Sequence, residues 1–182
     1  MEFKKVSKNS IQIKPTNSLK VMLEIKDDGY YSIKVVEGDD ISSLERPGEY
    51  GIKGLHFVLL EDKTEDFMGK PNVASVSDTL YLNIVILGKN FELSKEAIDK
   101  MPDANIVVAP FVNDAKLKSI LRKIGPEFIV FVEEFAGFSA DEKAKANIQS
   151  DFPIASEDSK INISEKDLSE DEDSSTVSYL LK

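Results

Sequence analysis

The sequence predicts a mixed α/β (α+β) fold, in which an N-terminal antiparallel β-meander is followed by a βαβαβ half. Residues 11–35 alternate apolar, mostly β-branched side chains with polar ones, which is the period of half-buried strands. Residues 79–132 instead contain continuous apolar runs separated by helical patterns, as in parallel strands joined by crossover helices. The chain has 182 residues, of which 41% are hydrophobic, and this is enough for one domain with its own core.

The first half of the chain has the pattern of strands joined by tight turns. Stretches rich in Pro, Asn, Asp and Gly separate the alternating runs. Residues 46–50 (RPGEY) predict a further turn that leads into a strand over 54–60, and the polar stretch 61–72 predicts a surface loop or hairpin tip. The earlier strands of the meander are predicted at 11–13, 21–25 and 31–35.

The second half alternates buried strands with helices. Ser94 is placed to cap a short helix, and Asp114 to cap a second one that ends at Gly125. The capping box at 139–142 opens a last helix, with Ser139 in the N-cap position, that runs towards Ile148. The buried strands are predicted at 79–87, 106–109 and 128–132.

The last part of the chain combines an acidic composition with two strand-like patterns. Residues 156–173 contain eight acidic residues and two lysines, a composition typical of disordered segments. Residues 161–163 and 177–181 nevertheless alternate or cluster apolar side chains as strands do. We therefore expect a single domain over 1–182 that ends in two strands joined by an acidic loop, residues 156–176. A disordered tail is the alternative.

Composition and charge exclude several classes of function. The chain has no Cys, which excludes disulfides, thiolate metal sites and cysteine nucleophiles. Its single His56 cannot by itself form a binuclear zinc centre, and we expect this side chain to face outward or to be hydrogen-bonded within its strand. The formal net charge of −10 argues against nucleic acid or an anionic membrane surface as a partner. With no apolar run of about 18 residues, we expect a soluble, cytoplasmic protein.

Polar residues follow each predicted buried strand of the second half. They are Lys89 with Asn90, Asn113, and the pair Glu133 and Glu134. Ligands of open α/β sheets bind beyond the carboxyl ends of the strands, so these residues are the candidate ligand-binding positions. They could hold a small polar ligand or an oxygen-coordinated cation such as Mg²⁺. The alternative is that they are ordinary strand ends that meet water.

Three stretches of the sequence resemble metallo-β-lactamase-fold hydrolases, in particular the branch of ascorbate-6-phosphate lactonases and bacterial Zn-dependent hydrolases. Residues 46–55 (RPGEYGIKGL) resemble the Pro-Gly-Glu-Tyr turn of that branch. Residues 83–94 (NIVILGKNFELS) resemble its strand that ends in Leu-Gly-Asp. Residues 103–111, 114–115 and 124–130 resemble its closing strand, helix and strand, and the C-terminal stretches 161–168 and 177–181 are similar as well. The resemblance implies a reduced αββα sandwich.

The metal ligands of the resembled family are absent from the matching positions. Residues 24–46 contain no His and hold no counterpart of the His-x-His-x-Asp-His motif. Lys89 stands where the family has the Asp of Leu-Gly-Asp, and Glu133-Glu134 stand where it has a His after the last buried strand. Lys8-Asn9 matches the early Gly-His. No catalytic residue of the family is carried over to this chain.

These departures predict a catalytically inactive metallo-β-lactamase-like protein with a binding, scaffolding or oligomer-partner role. We expect no metal or other cofactor, and as partner another protein or further copies of this chain. One alternative is a hydrolase whose oxygen-ligand metal site uses Glu133, Glu134 and acidic residues of the first half. The other is a protein-interaction module that acts through the acidic segment 156–173.

Overall fold

The structure is a computed structural model that describes residues 1–15, 19–26, 31–61, 71–77, 82–88, 91, 93, 98–99, 104–135, 137–164, 167 and 176–182. Two helices have defined bounds, α1 (Ala115–Ile124) and α2 (Glu142–Asp151). Neither is long and apolar enough to cross a membrane, and no other described part of the chain forms such a helix. The strands are β1 (Glu2–Ser7), β2 (Ser10–Lys14), β3 (Lys20–Ile25), β4 (Tyr31–Glu37), β5 (Asp40–Leu44), β6 (Gly48–Ile52), β7 (Leu55–Glu61), β8 (Pro71–Ser77), β9 (Asn83–Leu87), β10 (Ile106–Pro110), β11 (Phe128–Val132), β12 (Ile154–Asp158), β13 (Lys160–Asn162) and β14 (Val177–Leu181).

Six strands form an antiparallel sheet, sheet A, in the order β13-β1-β2-β3-β4-β5. Side chains along each strand point alternately to the two faces. The alternation predicted from the sequence therefore places one apolar set on the inner face, and the predicted strands of the meander are confirmed as β2, β3 and β4. The fully buried members of that set include Phe3, Ile11, Ile13, Val21, Leu23 and Ile33.

Eight strands form the second sheet, sheet B, in the order β12-β14-β11-β10-β9-β8-β7-β6. The four strands from β6 to β9 pair antiparallel. From β9 through β10, β11 and β14 to β12 all pairs are parallel. Every residue of β10 and β11 is buried, because sheet A covers one face and helices cover the other.

Two apolar cores result from this layering. One lies between the sheets and joins Phe3 and Leu23 of sheet A to Phe57 and Val130 of sheet B. The other lies between sheet B and the helices and includes Leu117, Ile120 and Leu121 of α1 and Ile148 of α2. The predicted two-sheet sandwich is present in reduced form, since the helices with defined bounds cover only sheet B.

Helix α1 begins and ends where its sequence predicts. Asp114 is the N-cap, and its Oδ1 accepts hydrogen bonds from the backbone N–H groups of Lys116 (2.7 Å) and Leu117 (3.0 Å). Gly125 closes the helix with φ +60°, a left-handed conformation that glycine adopts without steric cost, and its N–H donates to Leu121 O at 2.9 Å.

Helix α2 begins two residues later than predicted. Its N-cap is Asp141, not Ser139, because the Asp141 side chain accepts the Ala144 N–H at 2.7 Å. Both residue types are good N-caps, and the sequence pattern alone did not rank them. The predicted helix after Ser94 lies largely outside the described residues, although Ile98 and Asp99 are helical.

Before the C-terminal part of the chain, four strands were not predicted, and one of them replaces a turn. Residues 48–50, predicted as part of a turn, belong to β6, which forms a hairpin with β7. Pairing with the strongly apolar β7 favours the extended conformation despite the glycines of β6. Residues 71–72 of the predicted loop belong to β8, and residues 62–70 lie outside the described ranges. The other two missed strands, β1 and β5, are rich in polar residues.

The C-terminal part crosses between the sheets. After β12 the chain turns at Ser159 into β13, which pairs with β1 of sheet A, and it later returns to sheet B as β14. The two strands predicted in this region are thereby confirmed. Residues 156–158 were predicted as loop but belong to β12, because parallel pairing with β14 satisfies their backbone. Most of residues 165–175 lies outside the described part.

Candidate functional site

The carboxyl ends of β9, β10, β11 and β14 meet along one edge of sheet B, called here the carboxyl edge. The backbone ladder continues one residue past these strands. Phe111 N donates to Val132 O at 3.0 Å, and Glu133 N donates to Leu181 O at 3.0 Å. Phe111, Glu133 and Lys182 therefore follow neighbouring strands side by side. This arrangement is the one in which α/β proteins place ligands.

A groove of about 320 Å³ opens at this edge between the strand ends and α2. Phe111 and Leu180 form its apolar part. The charged residues that line it are paired with one another: Lys145 Nζ lies 2.9 Å from Glu133 Oε1 and 3.4 Å from Glu142 Oε1. The other charged pair in its lining is Lys182 with Glu157.

The lysines of the groove are held in the protonated state. The hydrogen bond from Lys145 to Glu133 is the main cause that raises the pKa of the Lys145 ammonium, and desolvation opposes it. The hydrogen bond to Glu157 raises the pKa of Lys182 in the same way. Neither amine is thus available as a neutral base near pH 7, and a ligand that enters the groove must compete with existing ion pairs.

Glu134, the next residue along the chain, contacts the opposite layer of the sandwich. Its Oε2 lies 3.5 Å from Nζ of Lys8, which is in the turn between β1 and β2. The backbone of Glu134 has φ +48°, a left-handed conformation that is uncommon for a non-glycine residue. Ile25 N donates to Asn9 O at 2.7 Å and ties the same turn to the end of β3.

The Lys8–Glu134 contact joins two positions that the family resemblance matches with metal-ligand regions, namely the early Gly-His and the His after the last buried strand. In this chain Lys8-Asn9 and Glu133-Glu134 occupy these regions, and the structure brings the side chains of Lys8 and Glu134 together. The ion pair balances charge at this point.

Glu133 and Glu134 are engaged by cations from different layers. Glu133 pairs with Lys145 on the helix side of sheet B, whereas Glu134 pairs with Lys8 of sheet A. Asn113 is exposed and lies three residues beyond the end of β10. Lys89, with its neighbour Asn90, lies outside the described residues. The structure thus places the two glutamates at the predicted edge but directs them to separate partners.

His56 is exposed on β7 at the opposite end of sheet B. In the strand register His56 lies opposite Ser77 of β8, and Ser77 lies opposite Asn83 at the start of β9. A strand advances ~3.3 Å per residue, so about 15 Å of sheet separates this imidazole from the carboxyl edge. Across the described ranges, no group of three or more His, Cys, Asp or Glu residues is arranged to hold a metal ion.

Sequence reasoning missed several residues of this edge. Lys182 directly follows β14, so the rule that selected Glu133 would also have selected it if β14 had been recognised as a parallel strand. Lys8 was singled out only by the family resemblance, and Lys145 had no such signal, because its contact with Glu133 depends on how α2 packs against sheet B.

Comparison with known proteins supports the architecture. The chain is similar to the crystal structure of a candidate Zn-dependent hydrolase of the metallo-β-lactamase superfamily from Thermotoga maritima, with a TM-score of 0.55 and 13% sequence identity. The match covers 75% of this chain and 70% of that one. No family model matches the sequence, and no curated protein does. At this identity the likeness concerns the fold, and the chain therefore has a metallo-β-lactamase-like fold.

Proposed function

We propose that this chain is a catalytically inactive protein of metallo-β-lactamase-like fold that acts by binding another protein or further copies of itself. The observation that carries the proposal is the Lys8–Glu134 ion pair. It occupies positions that the resemblance matches with metal-ligand regions. The ammonium group of Lys8, next to the residue that matches the early His, opposes the binding of a metal cation there.

The position of His56 supports the same conclusion. Zinc hydrolases of this type need several imidazole ligands around one centre. The sequence offers one imidazole, which is at the far end of sheet B from the carboxyl edge. An imidazole there can neither ligate a metal at the carboxyl edge nor act as a general base in the groove.

The alternative of an oxygen-ligand metal site depends on Glu133 and Glu134. Mg²⁺ and Mn²⁺ prefer carboxylate and carbonyl ligands that converge on one point. Here the two carboxylates are bound to Lys145 and Lys8 in different layers. Both ion pairs would have to break for a shared metal to bind, which makes the binding role the better-supported proposal.

The proposed role can be tested by combining solution mass with crosslinking. Light scattering of the untagged full chain gives its oligomeric mass, and lysine-reactive crosslinking in the source cells, read by mass spectrometry, identifies recurring contacts. We expect either a homo-oligomer or one recurring protein partner. The oligomeric mass and the crosslinked contacts should be the same in the double variant Glu133→Gln/Glu134→Gln. Recurring contacts that disappear when residues 165–175 are deleted would instead support the acidic-segment alternative.

A monomer without recurring crosslinks would contradict the proposal, above all if it also hydrolysed ester or phosphodiester substrates with Mn²⁺. In that case Glu134→Gln should abolish turnover, whereas Glu49→Gln should not, because Glu49 is an exposed carboxylate on β6, the edge strand that four other strands of sheet B separate from β11. That pattern would establish the oxygen-ligand hydrolase.

A further inference from the structure

Strand β5 forms one edge of sheet A, and among the described strands β4 alone pairs with it. Glu37 and Asp40 face each other across the two-residue turn of this hairpin, and such a pair exchanges both of its backbone hydrogen bonds. Hydrogen-bonded and free positions then alternate along the strand. Ser42 and Leu44 therefore bond to β4, whereas the N–H and C=O groups of Ile41 and Ser43 point outward.

Within the described residues no other strand covers these outward groups. No backbone hydrogen bond of Ile41 or Ser43 to a turn, loop or cap occurs there. The Ile41 side chain is 63% exposed, and Val6 is the other large hydrophobic residue that is exposed in the described part. Strand β5 thus combines a free backbone edge with an apolar side chain in water.

The other three sheet edges have features that oppose the addition of a strand. Strand β13 is three residues long and begins with Lys160. Strand β12 follows Pro153, has a register irregularity and ends in two acidic residues. Strand β6 follows Pro47 and contains two glycines. Strand β5 (DISSL) pairs with β4 without a register shift and has no Pro, Gly or Lys.

The surroundings of β5 are acidic. Residues 37–49 contain five acidic side chains against Arg46 alone. Lys53, from the turn between β6 and β7, lies 2.8 Å from Glu37 Oε2 and 3.7 Å from Asp40 Oδ2, and Lys26, directly after β3, lies 3.0 Å from Glu45 Oε1. These two lysines compensate only part of the acidic charge. If β5 paired with β5 of a second copy, two of these acidic stretches would lie side by side on chains that each carry a net charge of −10. Their repulsion disfavours self-association at this edge. Charge complementarity instead favours a basic occupant.

We propose that β5 is a strand-addition site that takes an extended, Lys- or Arg-rich segment of a partner protein. Main-chain hydrogen bonds to Ile41 and Ser43 supply the docking geometry, and the acidic surroundings select for basic side chains. The proposal rests on the binding role given above and names a surface and a partner chemistry for it.

The test uses the full chain, labelled with ¹⁵N, and a peptide of about eight residues that alternates Lys and Val. A Glu/Val peptide of the same length is the control. We expect saturable binding of the Lys/Val peptide only, with slower amide hydrogen exchange at Ile41 and Ser43. Ser43→Pro removes an outward N–H without affecting the bonds to β4 and should weaken binding about tenfold or more. Ser43→Ala retains the N–H and should bind like the unmodified chain.

If Ser43→Pro fails to fold, Ile41→Lys serves instead, because this exposed position accepts a lysine that repels the basic peptide. The inference is overturned if neither peptide binds, if both bind equally, or if the affected amides lie elsewhere. If the NMR signals of the β5 amides shift with protein concentration in the absence of peptide, the occupant is a second copy of this chain. That result would also overturn the inference. Peptide binding at β5 in a chain that proves to be a hydrolase would refute the proposed function and leave this inference standing.

Discussion

Lys8 Nζ lies 3.5 Å from Glu134 Oε2, and this contact joins the β1–β2 turn of sheet A to the carboxyl end of β11 in sheet B. The two side chains are 80% and 52% exposed, so the contact adds little stability. Glu134 also keeps a left-handed backbone at φ +48°. The glutamate is thus not the residue that stability alone would favour at this position.

Replacement of Glu134 by Gly should give a more stable protein than replacement by Ala. Both variants remove the exposed ion pair, but only Gly adopts φ +48° without steric strain. That strain costs ~1–2 kcal/mol, partly offset by the chain entropy of Gly. We expect Gly to exceed Ala by about 1 kcal/mol in the free energy of unfolding, measured with urea. Equal stability of the two variants would refute this explanation.

Ser178 contains a buried hydroxyl for which the described residues offer no partner. The residue is fully buried on β14, and its Oγ has no hydrogen-bond partner within the described structure. Ser178→Ala removes this desolvated group and should raise the free energy of unfolding by about 1 kcal/mol. Ser32→Ala is the matched comparison. Ser32 Oγ donates to Glu45 at 3.3 Å, so its loss should lower stability. A clear loss of stability in Ser178→Ala would mean that the hydroxyl is satisfied in solution.

Asn105 connects strands at the amino end of the parallel part of sheet B. Its Oδ1 accepts the backbone N–H of Asn83 at 3.0 Å, and its Nδ2 donates to Glu127 Oε1 at 2.9 Å. Asn105→Ala removes both bonds at a half-buried site and should destabilise the protein by about 2 kcal/mol in thermal unfolding. Asn105→Asp keeps the acceptor but places a carboxylate beside Glu127, so it should recover stability at acidic pH. A pH-independent effect of Asn105→Asp would contradict this.

Asp151 joins the two helices and makes stability dependent on pH. The hydrogen bond from Lys118 is the main cause that lowers the pKa of the Asp151 carboxyl below 3.8, and Arg122, whose Nη2 lies 2.7 Å from Oδ1, adds to it. A carboxyl pKa that is lower in the folded than in the unfolded state stabilises the folded protein at pH values above the unfolded-state pKa. This contribution disappears as the pH falls through the folded-state pKa. Asp151→Asn should therefore reduce the loss of stability between pH 5 and pH 2, measured by thermal unfolding. An identical pH profile would contradict the assignment.

The sequence predicted the elements whose signal is local. Strands β10 and β11 are continuous apolar runs, and α1 has an N-cap at Asp114 and a stop at Gly125. Strands β1 and β5 were missed because they contain many polar residues and gain their stability from pairing. The N-cap of α2 was placed two residues early because Ser139 and Asp141 are both favourable caps.

The sequence could predict the candidate site only to the extent that it predicts the order of the strands. The rule that ligands bind at carboxyl ends selected Glu133 and Glu134, and the structure has both residues directly after the carboxyl end of β11. It could not reveal that they bind Lys145 and Lys8, because these contacts depend on how the helix and sheet A pack against sheet B. The side-chain directions of two consecutive residues at a strand end are decided by tertiary structure.

The measurement that tests the central claim most directly is elemental analysis of the untagged protein, purified from its source without chelators. We expect Zn, Fe, Mn and Mg all far below one equivalent per chain, because the Lys8–Glu134 and Lys145–Glu133 pairs occupy the carboxyl edge. About one equivalent of any of these metals, lost in Glu134→Gln and retained in Glu49→Gln, would contradict the account and establish a metal centre at this edge.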